Sequence, residues 1–166
     1  RIPITPIGLV PSVHISGISL DSRQVQPGML FGAIKGENAD GFDYIPQALV
    51  AGAVAVMSDR PAPDGLPVPY VQVEGDPRRA VAYLAAALHD FPARKLRMIG
   101  VTGTDGKTTT TAMIYHIMRS AGIQAGMIST VSACIGDAAL DTGFHVTTPE
   151  APDVQDYLDQ MVQAGL

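Results

Sequence analysis

The sequence predicts an α/β fold in two parts, a small α/β domain over residues 1–93 and the start of a phosphate-loop domain with a parallel sheet over residues 94–166. Short apolar runs typical of strands alternate along the chain with segments in which apolar residues recur at helical spacing. A loop rich in glycine and threonine, with one lysine, also stands between an apolar run and a helical segment, within residues 98–120. The chain is 46% hydrophobic and 16% charged, a composition that suits a globular core.

The first part contains four predicted strands and two predicted helices. The strands are expected at residues 15–20, 29–34, 53–57 and 70–73, and the helices at residues 42–51 and 76–91. Gly17 suggests a β-bulge in the first strand. Pro27 followed by Gly28 is typical of a type II turn. Asp76 before Pro77 has the pattern of a helix N-cap followed by the first helical turn.

The second part begins after a polar and basic stretch at residues 90–96, which we interpret as a linker. An apolar run at residues 98–101, a helix from residue 108 to 120 and a strand at residues 125–131 predict a parallel βαβ unit. The buried stripe expected on that helix is Met113, Ile114, Ile117, Met118 and Ala121. A hairpin turning at Gly136 and a final helix follow, whose apolar side is Val154, Tyr157, Leu158, Met161 and Val162. One such unit is too little for a nucleotide-binding sheet, so we expect the chain to end inside a domain.

The loop at residues 102–109 has the chemistry of a phosphate site. Gly103 and Gly106 allow backbone N–H groups to turn inward around an anion, Lys107 can reach phosphate oxygens, and the Thr108 hydroxyl can bind Mg²⁺. The common P-loop pattern has a glycine six positions before the lysine, where this chain has Val101. A glycine-rich turn that only joins a strand to a helix is the alternative.

Charge and cysteine content exclude several classes of function. A net charge of −5 argues against binding to nucleic acid or to a membrane surface. Cys134 is the only cysteine, so no internal disulfide is possible and a reducing compartment, the cytoplasm, is expected. No apolar run approaches the ~18 residues of a membrane span. We expect a monomer with no membrane insertion.

Three regions of the sequence resemble the Mur ligases, the amino-acid-adding enzymes of peptidoglycan synthesis. Residues 102–110 resemble the ATP loop of that family, and residues 21–23, 27–31 and 40–43 resemble its N-terminal UDP-binding domain. Residues 147–150 resemble a motif of the MurE type, which adds the third peptide residue. The three occur in the family's order, which makes the combination more specific than any one of them.

The resemblance implies a reaction and a set of site residues. ATP phosphorylates the terminal carboxylate of UDP-N-acetylmuramoyl-L-alanyl-D-glutamate, and the amine of an amino acid then attacks the acyl phosphate. Lys107 would act as the catalytic cation on the phosphates, and Thr108 would ligate Mg²⁺. The ATP-contacting set is Gly103, Thr104, Asp105, Gly106, Lys107, Thr108 and Thr109. The substrate set is Leu20 and Ser22 at the uridine end, Glu37, Asn38 and Ala39 in a polar loop, and Thr147 and Thr148 at the muramoyl part.

Other interpretations remain open at this point. Residues 21–23 also fit a turn closed by a local Asp–Arg pair, and residues 147–149 fit a helix start. The whole chain also fits a MurF-type ligase, a folylpolyglutamate synthase relative or a non-catalytic nucleotide-binding module. The family usually has asparagine where Asp105 stands. The family's amino-acid-selecting domain would lie beyond Leu166, so we expect this chain alone not to complete a turnover.

Overall fold

The computed structural model describes residues 12–36, 39–130, 132–136, 138–141 and 149–166. These residues belong to two units, Arg1–Leu88 and His89–Leu166. In the part of the chain that is described, no helix is both long enough and apolar enough to cross a membrane.

The first unit is built on a parallel sheet of four strands. Its strands are β1 (Gly17–Ser19), β2 (Met29–Gly32), β3 (Ala55–Ser58) and β4 (Tyr70–Gln72), and they lie side by side in that order. Every neighbouring pair is parallel. The four predicted strands and the α/β class are therefore confirmed.

Two helices cover opposite faces of this sheet. Helix α1 (Ile45–Val50) follows a 3₁₀ turn at Gly41–Tyr44, and helix α2 (Pro77–Leu88) follows β4. Phe31 packs in the cluster that contains Ile45 of α1, whereas Leu30 packs in the cluster that contains Val81 of α2. Successive residues of a strand point to opposite faces, so each face of the sheet has its own helix and its own core.

The sequence patterns at one turn and one helix cap predicted the local structure correctly. Gly28 has a φ of +92° and Met29 N–H donates to the Gln26 carbonyl at 3.1 Å, which confirms the predicted Pro-Gly turn. Asp76 caps α2 by accepting from the Arg78 N–H at 3.0 Å.

The predicted bulge at Gly17 is wrong. Gly17 pairs with Met29 in unbroken register. A Cβ at this position would lie 3.0 Å from Cε of Met29, the flexible end of that side chain, so a small shift of Met29 would make room for it.

The second unit contains two helices and a small antiparallel sheet. Helix α3 (Lys107–Ser120) is followed by β5 (Met127–Ile128), β6 (Ser132–Ile135) and β7 (Ala138–Asp141), and then by α4 (Ala151–Gln163). The sheet order is β5-β6-β7 with antiparallel neighbours. The hairpin at Gly136 and the final helix are confirmed, and Leu158 and Met161 of α4 are buried as expected.

The parallel βαβ unit predicted around α3 is wrong for the described residues. Residues 98–101 form no strand, and β5 pairs with β6 in the antiparallel sense. A strand exists only where its backbone groups find a partner, and the described residues supply none for this run. Met98 and Ile99 are accordingly 56% and 59% exposed.

The buried stripe predicted on α3 is also wrong. No residue of this helix is fully buried, and Met113 and Ile117 are 59% and 65% exposed. Helical spacing of apolar residues marks a face that can be covered, but burial requires an element packed against it. The described residues of this unit place none over Met113 and Ile117.

Candidate functional site

The loop at residues 102–109 enters α3 through two glycines in conformations that other residues avoid. Gly103 has a φ of +143°, and Gly106, the residue before the first helical turn, has a φ of +75°. The first helical hydrogen bond runs from the Thr110 N–H to the Gly106 carbonyl at 2.8 Å. The N–H groups of Lys107, Thr108 and Thr109 precede that bond and have no acceptor inside the helix. They are the donors with which a helix N-terminus binds an anion.

Lys107 is held over the loop by the loop's own backbone. Its Nζ atom donates to the Gly103 carbonyl at 2.7 Å and to the Thr104 carbonyl at 3.1 Å. The Thr111 hydroxyl donates to the Lys107 carbonyl at 2.8 Å and secures the first turn of α3. The ammonium thus lies against the residues whose amides would contact a phosphate. Its present acceptors are neutral carbonyls, which a charged phosphate oxygen would outcompete.

The Thr108 hydroxyl has a second hydroxyl beside it. Its Oγ1 atom lies 3.1 Å from Oγ1 of Thr130, which follows β5. Hydroxyl and phosphate oxygens are hard ligands of the kind that Mg²⁺ binds. Among the described residues, no group of three or more histidine, cysteine, aspartate or glutamate side chains could hold a metal. A Mg²⁺ ion that arrives with phosphates and takes few protein ligands is the metal chemistry that fits this loop.

The remaining loop residues, Thr104, Asp105 and Thr109, are exposed. The Asp105 carboxylate is the only acidic side chain within the loop sequence. It adds negative charge to a site otherwise built from amide donors and one ammonium.

In the first unit, the described residues of the predicted uridine site come after the first two strands of the parallel sheet. Leu20 and Ser22 follow β1, and Ala39 lies in the loop after β2. The carboxyl ends of parallel strands share one edge of the sheet, which is where ligands of such folds bind. Ser22 is buried, and its hydroxyl donates to Oε1 of Gln47 in α1 at 3.3 Å.

Asp21 and Arg23 form the local pair that was the alternative interpretation of residues 21–23. The Arg23 Nη2 atom lies 2.6 Å from Oδ2 of Asp21, and the Arg23 backbone N–H donates to Oδ1 at 2.9 Å. The hydrogen bond from Arg23 holds the pKa of Asp21 below its usual value, although partial burial opposes the shift. The pair closes a turn and leaves the Ser22 hydroxyl directed toward Gln47, so a local turn and a ligand-binding role for Ser22 are compatible.

Four predicted substrate residues fall outside the described part of the chain. They are Glu37, Asn38, Thr147 and Thr148.

Sequence reasoning missed two partners of the predicted site residues. Gln47 lies 25 residues after Ser22, and Thr130 lies 22 residues after Thr108. No spacing rule links residues so far apart. Only the fold brings α1 back to the end of β1, and the end of β5 back to the start of α3.

The parallel sheet with a helix on each face defines an α/β fold, and the glycine-and-lysine loop at the N-terminus of α3 has the donors that a phosphate site requires. Residues 14–94 match the model of the Mur ligase family catalytic domain, and residues 101–166 match that of the Mur ligase middle domain. The chain belongs to the Mur ligase family, a family of ATP-dependent ligases.

Curated relatives of this chain carry the names of tripeptide synthetases. The UDP-N-acetylmuramyl-tripeptide synthetase of Deinococcus radiodurans is 47% identical over 155 residues, which is 92% of this chain and 31% of that protein. The UDP-N-acetylmuramoyl-L-alanyl-D-glutamate--2,6-diaminopimelate ligase of Geobacillus thermodenitrificans is 44% identical over 152 residues, or 92% of this chain and 30% of that protein. The chain thus spans about 30% of the length of these relatives.

Solved structures of two ligase types resemble the chain. A UDP-N-acetylmuramoyl-L-alanyl-D-glutamate--2,6-diaminopimelate ligase aligns with a TM-score of 0.66 at 26% identity, over 91% of this chain and 30% of that one. A UDP-N-acetylmuramoylalanyl-D-glutamyl-2,6-diaminopimelate--D-alanyl-D-alanyl ligase from Acinetobacter baumannii aligns with a TM-score of 0.54 at 28% identity, over 72% of this chain and 29% of that one.

Proposed function

We propose that this chain carries the nucleotide sites of a MurE-type ligase, which joins a third amino acid to UDP-N-acetylmuramoyl-L-alanyl-D-glutamate at the expense of ATP. The observation that supports this most is the position of Lys107 over a two-glycine loop at the N-terminus of α3. The names of the relatives support the choice of substrate and of the added residue's position.

Each loop residue has a role that its chemistry allows. The amides of residues 103–109 would hold the phosphates of ATP, as helix N-termini do. The Lys107 ammonium would give up its hydrogen bonds to the Gly103 and Thr104 carbonyls and neutralise the β- and γ-phosphates. Thr108 would supply a hydroxyl to Mg²⁺, with Thr130 orienting that hydroxyl. ATP supplies the phosphoryl group that activates a carboxylate, and these residues position it and balance its charge.

The first unit would bind the uridine end of the peptide substrate. Leu20, Ser22 and Ala39 follow strands β1 and β2, and Glu37 and Asn38 directly precede Ala39 in the sequence. The buried Ser22 hydroxyl donates a hydrogen bond to Gln47. The lone pairs of the Ser22 oxygen could then accept a hydrogen bond from a ligand N–H. Thr147 and Thr148 are proposed for the muramoyl part on the resemblance alone.

The complete reaction is assigned to the ligase type and not to this chain in isolation. An acyl phosphate on the substrate carboxylate, attacked by the incoming amine, is the proposed route to the amide. The chain spans about 30% of the length of these relatives, and we propose nucleotide binding, not a complete turnover, for these 166 residues. We also propose a domain boundary between residues 93 and 94, a monomeric state and a cytoplasmic location.

A MurF-type ligase is the second candidate, because a D-alanyl-D-alanyl ligase structure also aligns with the chain. It would take a UDP-tripeptide instead of the UDP-dipeptide. Comparing the two compounds as ligands of this chain separates the candidates, since a MurE-type site should bind the dipeptide more tightly.

Calorimetry with Mg²⁺-ATP tests the ATP site. We expect Lys107→Ala to weaken binding about tenfold or more, because a hydrogen bond to a charged group is lost. Lys95→Ala is the matched control, since Lys95 is paired with Asp90 at 2.7 Å in the same unit and lies outside the loop. Equal binding by wild type and Lys107→Ala would remove the loop from the proposal. Wild-type samples given the UDP-dipeptide and diaminopimelate or lysine should release no ADP.

A further inference from the structure

A charged pair ties the loop after β2 to the end of β3. The Nη2 atom of Arg60, two residues beyond β3, lies 2.6 Å from Oδ2 of Asp40. The other carboxylate oxygen of Asp40 accepts from the Phe42 N–H at 3.1 Å and caps the 3₁₀ turn. Asp40 therefore uses one oxygen for a local cap and the other for a contact 20 residues along the chain.

Arg60 is itself held by several further contacts. Its guanidinium carbon lies 5.3 Å from the centre of the Phe42 ring, a cation–π contact. Its carbonyl accepts from the Tyr70 hydroxyl at 2.7 Å, which anchors it to β4. Ser58 is buried at the end of β3, two residues before Arg60. Its hydroxyl donates to the carbonyl of Ala33, the residue after β2, at 2.7 Å and thereby connects the ends of the two strands. Arg60 thus projects from a backbone that neighbouring strands fix in place.

The loop that Arg60 contacts is closed at its base. Lys35 and Asp40 form an antiparallel bridge, and the Gly36 N–H donates to the Ala39 carbonyl at 2.9 Å. The Gly41 N–H donates to the Ile34 carbonyl at 3.0 Å, and a Cβ on Gly41 would come within 2.6 Å of that carbonyl oxygen. Glycine at position 41 is therefore what lets the chain turn back so closely.

We propose that Arg60 is a positioning residue for the uridine nucleotide: through Asp40 it fixes Ala39 and its backbone at the carboxyl edge of the sheet before the ligand binds. This inference rests on the proposed function, which assigns Ala39 to that ligand. A backbone that is already fixed at Ala39 and Asp40 loses less conformational entropy when a ligand binds, so the pair raises affinity without touching the ligand.

The charges at this site support a persistent pair. The hydrogen bond from Arg60 holds the pKa of Asp40 below its usual value, so the carboxylate stays ionised at neutral pH. The Asp40 side chain is 26% exposed and that of Arg60 41% exposed. An isolated pair at such exposure contributes little to stability, so its effect should appear in the geometry of the loop and not in the melting temperature of the chain.

A double-mutant cycle on UDP affinity tests the proposal. Asp40→Asn keeps an oxygen that can cap the Phe42 N–H but loses the charge, and Arg60→Gln loses the partner charge. We expect each single change to weaken UDP binding about threefold to fivefold, the upper part of the range of an exposed charged pair. The double variant should bind no worse than either single variant, because the two residues act through one contact. Arg60→Lys should recover part of the loss.

Three controls separate positioning from general damage. Melting temperatures should stay close to wild type, and Mg²⁺-ATP affinity should not change. Arg94→Gln, which removes an arginine stacked 4.0 Å from the Phe91 ring in the other unit, should leave UDP affinity unchanged. UDP binding that is equal in wild type and variants, or additive losses in the double variant, would overturn the role of Arg60. A folded wild type that binds no UDP would overturn the proposed uridine site, and this inference with it.

Discussion

Asp105 places a carboxylate in a loop that otherwise offers amide N–H groups and an ammonium to an anion. The resemblance marked it as a departure from the asparagine usual in the family, and the structure leaves its side chain exposed. Two unit charges about 8 Å apart in water interact by about 0.5 kcal/mol. Such a repulsion from each phosphate charge is small singly but adds up over a triphosphate.

We therefore expect Asp105→Asn to tighten Mg²⁺-ATP binding about threefold to tenfold at low ionic strength. The gain should shrink as salt is added, because screening weakens the repulsion that the substitution removes. Calorimetry at two salt concentrations measures both effects. Asp64→Asn, an exposed change in the proline-rich loop before β4, is the control and should have no effect. Weaker binding by Asp105→Asn would instead indicate that the carboxylate helps to hold the metal.

At the residue level, the sequence predicted the local backbone role of a residue better than its contact partner in the fold. The cap at Asp76 and the turn at Gly28 follow from local backbone chemistry, and both were predicted correctly. The contact between Ser22 and Gln47 depends on how α1 returns to the sheet, which no short motif encodes. The bulge predicted at Gly17 is wrong because Gly17 pairs in unbroken register with Met29, which belongs to another strand.

At the level of single elements, helix α4 contains a carboxylate in an unfavourable setting. Asp153, in its first turn, has a raised pKa because of partial burial, followed by the charges of Glu150 and Asp156. A negative charge near a helix N-terminus is normally favourable, so burial and repulsion outweigh the helix dipole here. The folded chain binds the proton more tightly than the unfolded chain, so this group stabilises the fold fully below the unfolded pKa and loses that effect as pH rises through the folded one.

We expect Asp153→Asn to raise the melting temperature at pH 7 by about 1–3 °C. The gain should fade as the pH falls through the raised folded pKa and be absent below about 4, the unfolded pKa of aspartate, because the wild-type carboxyl is then protonated in both states. Thermal melts followed by circular dichroism at several pH values provide the measurement. A gain that is the same at pH 3 and pH 7 would show that burial of the charge is not the cause.

Elements of the first unit were predictable because their signals are local and agree with one another. Apolar runs flanked by turn residues predicted the four strands, and apolar residues at helical spacing predicted the two helices, which the structure places on opposite faces of the sheet. The structure of the second unit differs from the prediction where an element needs a packing or pairing partner that is distant in sequence. The run at residues 98–101 has the composition of a strand, yet none of the described residues pairs with it. The apolar face of α3 is exposed for the same reason.

At the level of the whole molecule, we propose that one sequence carries a uridine site in its first unit and an ATP site in its second. The order of the uridine-like motifs, the phosphate loop and the tripeptide-ligase motif predicted the family, and the matches over residues 14–94 and 101–166 confirm it. The individual site residues stay predictions.

Two-dimensional NMR of the amide signals, with separate titrations of UDP and Mg²⁺-ATP, is the most direct test. It shows whether the two nucleotides bind at two separate sites of this chain. We predict that Mg²⁺-ATP shifts the signals of residues 103–109 and leaves those of Leu20, Ser22 and Ala39 in place. UDP should do the reverse. If both nucleotides shift the same set of signals, or if Mg²⁺-ATP leaves the loop before α3 unchanged, the assignment of an ATP site and a separate uridine site to this chain is wrong.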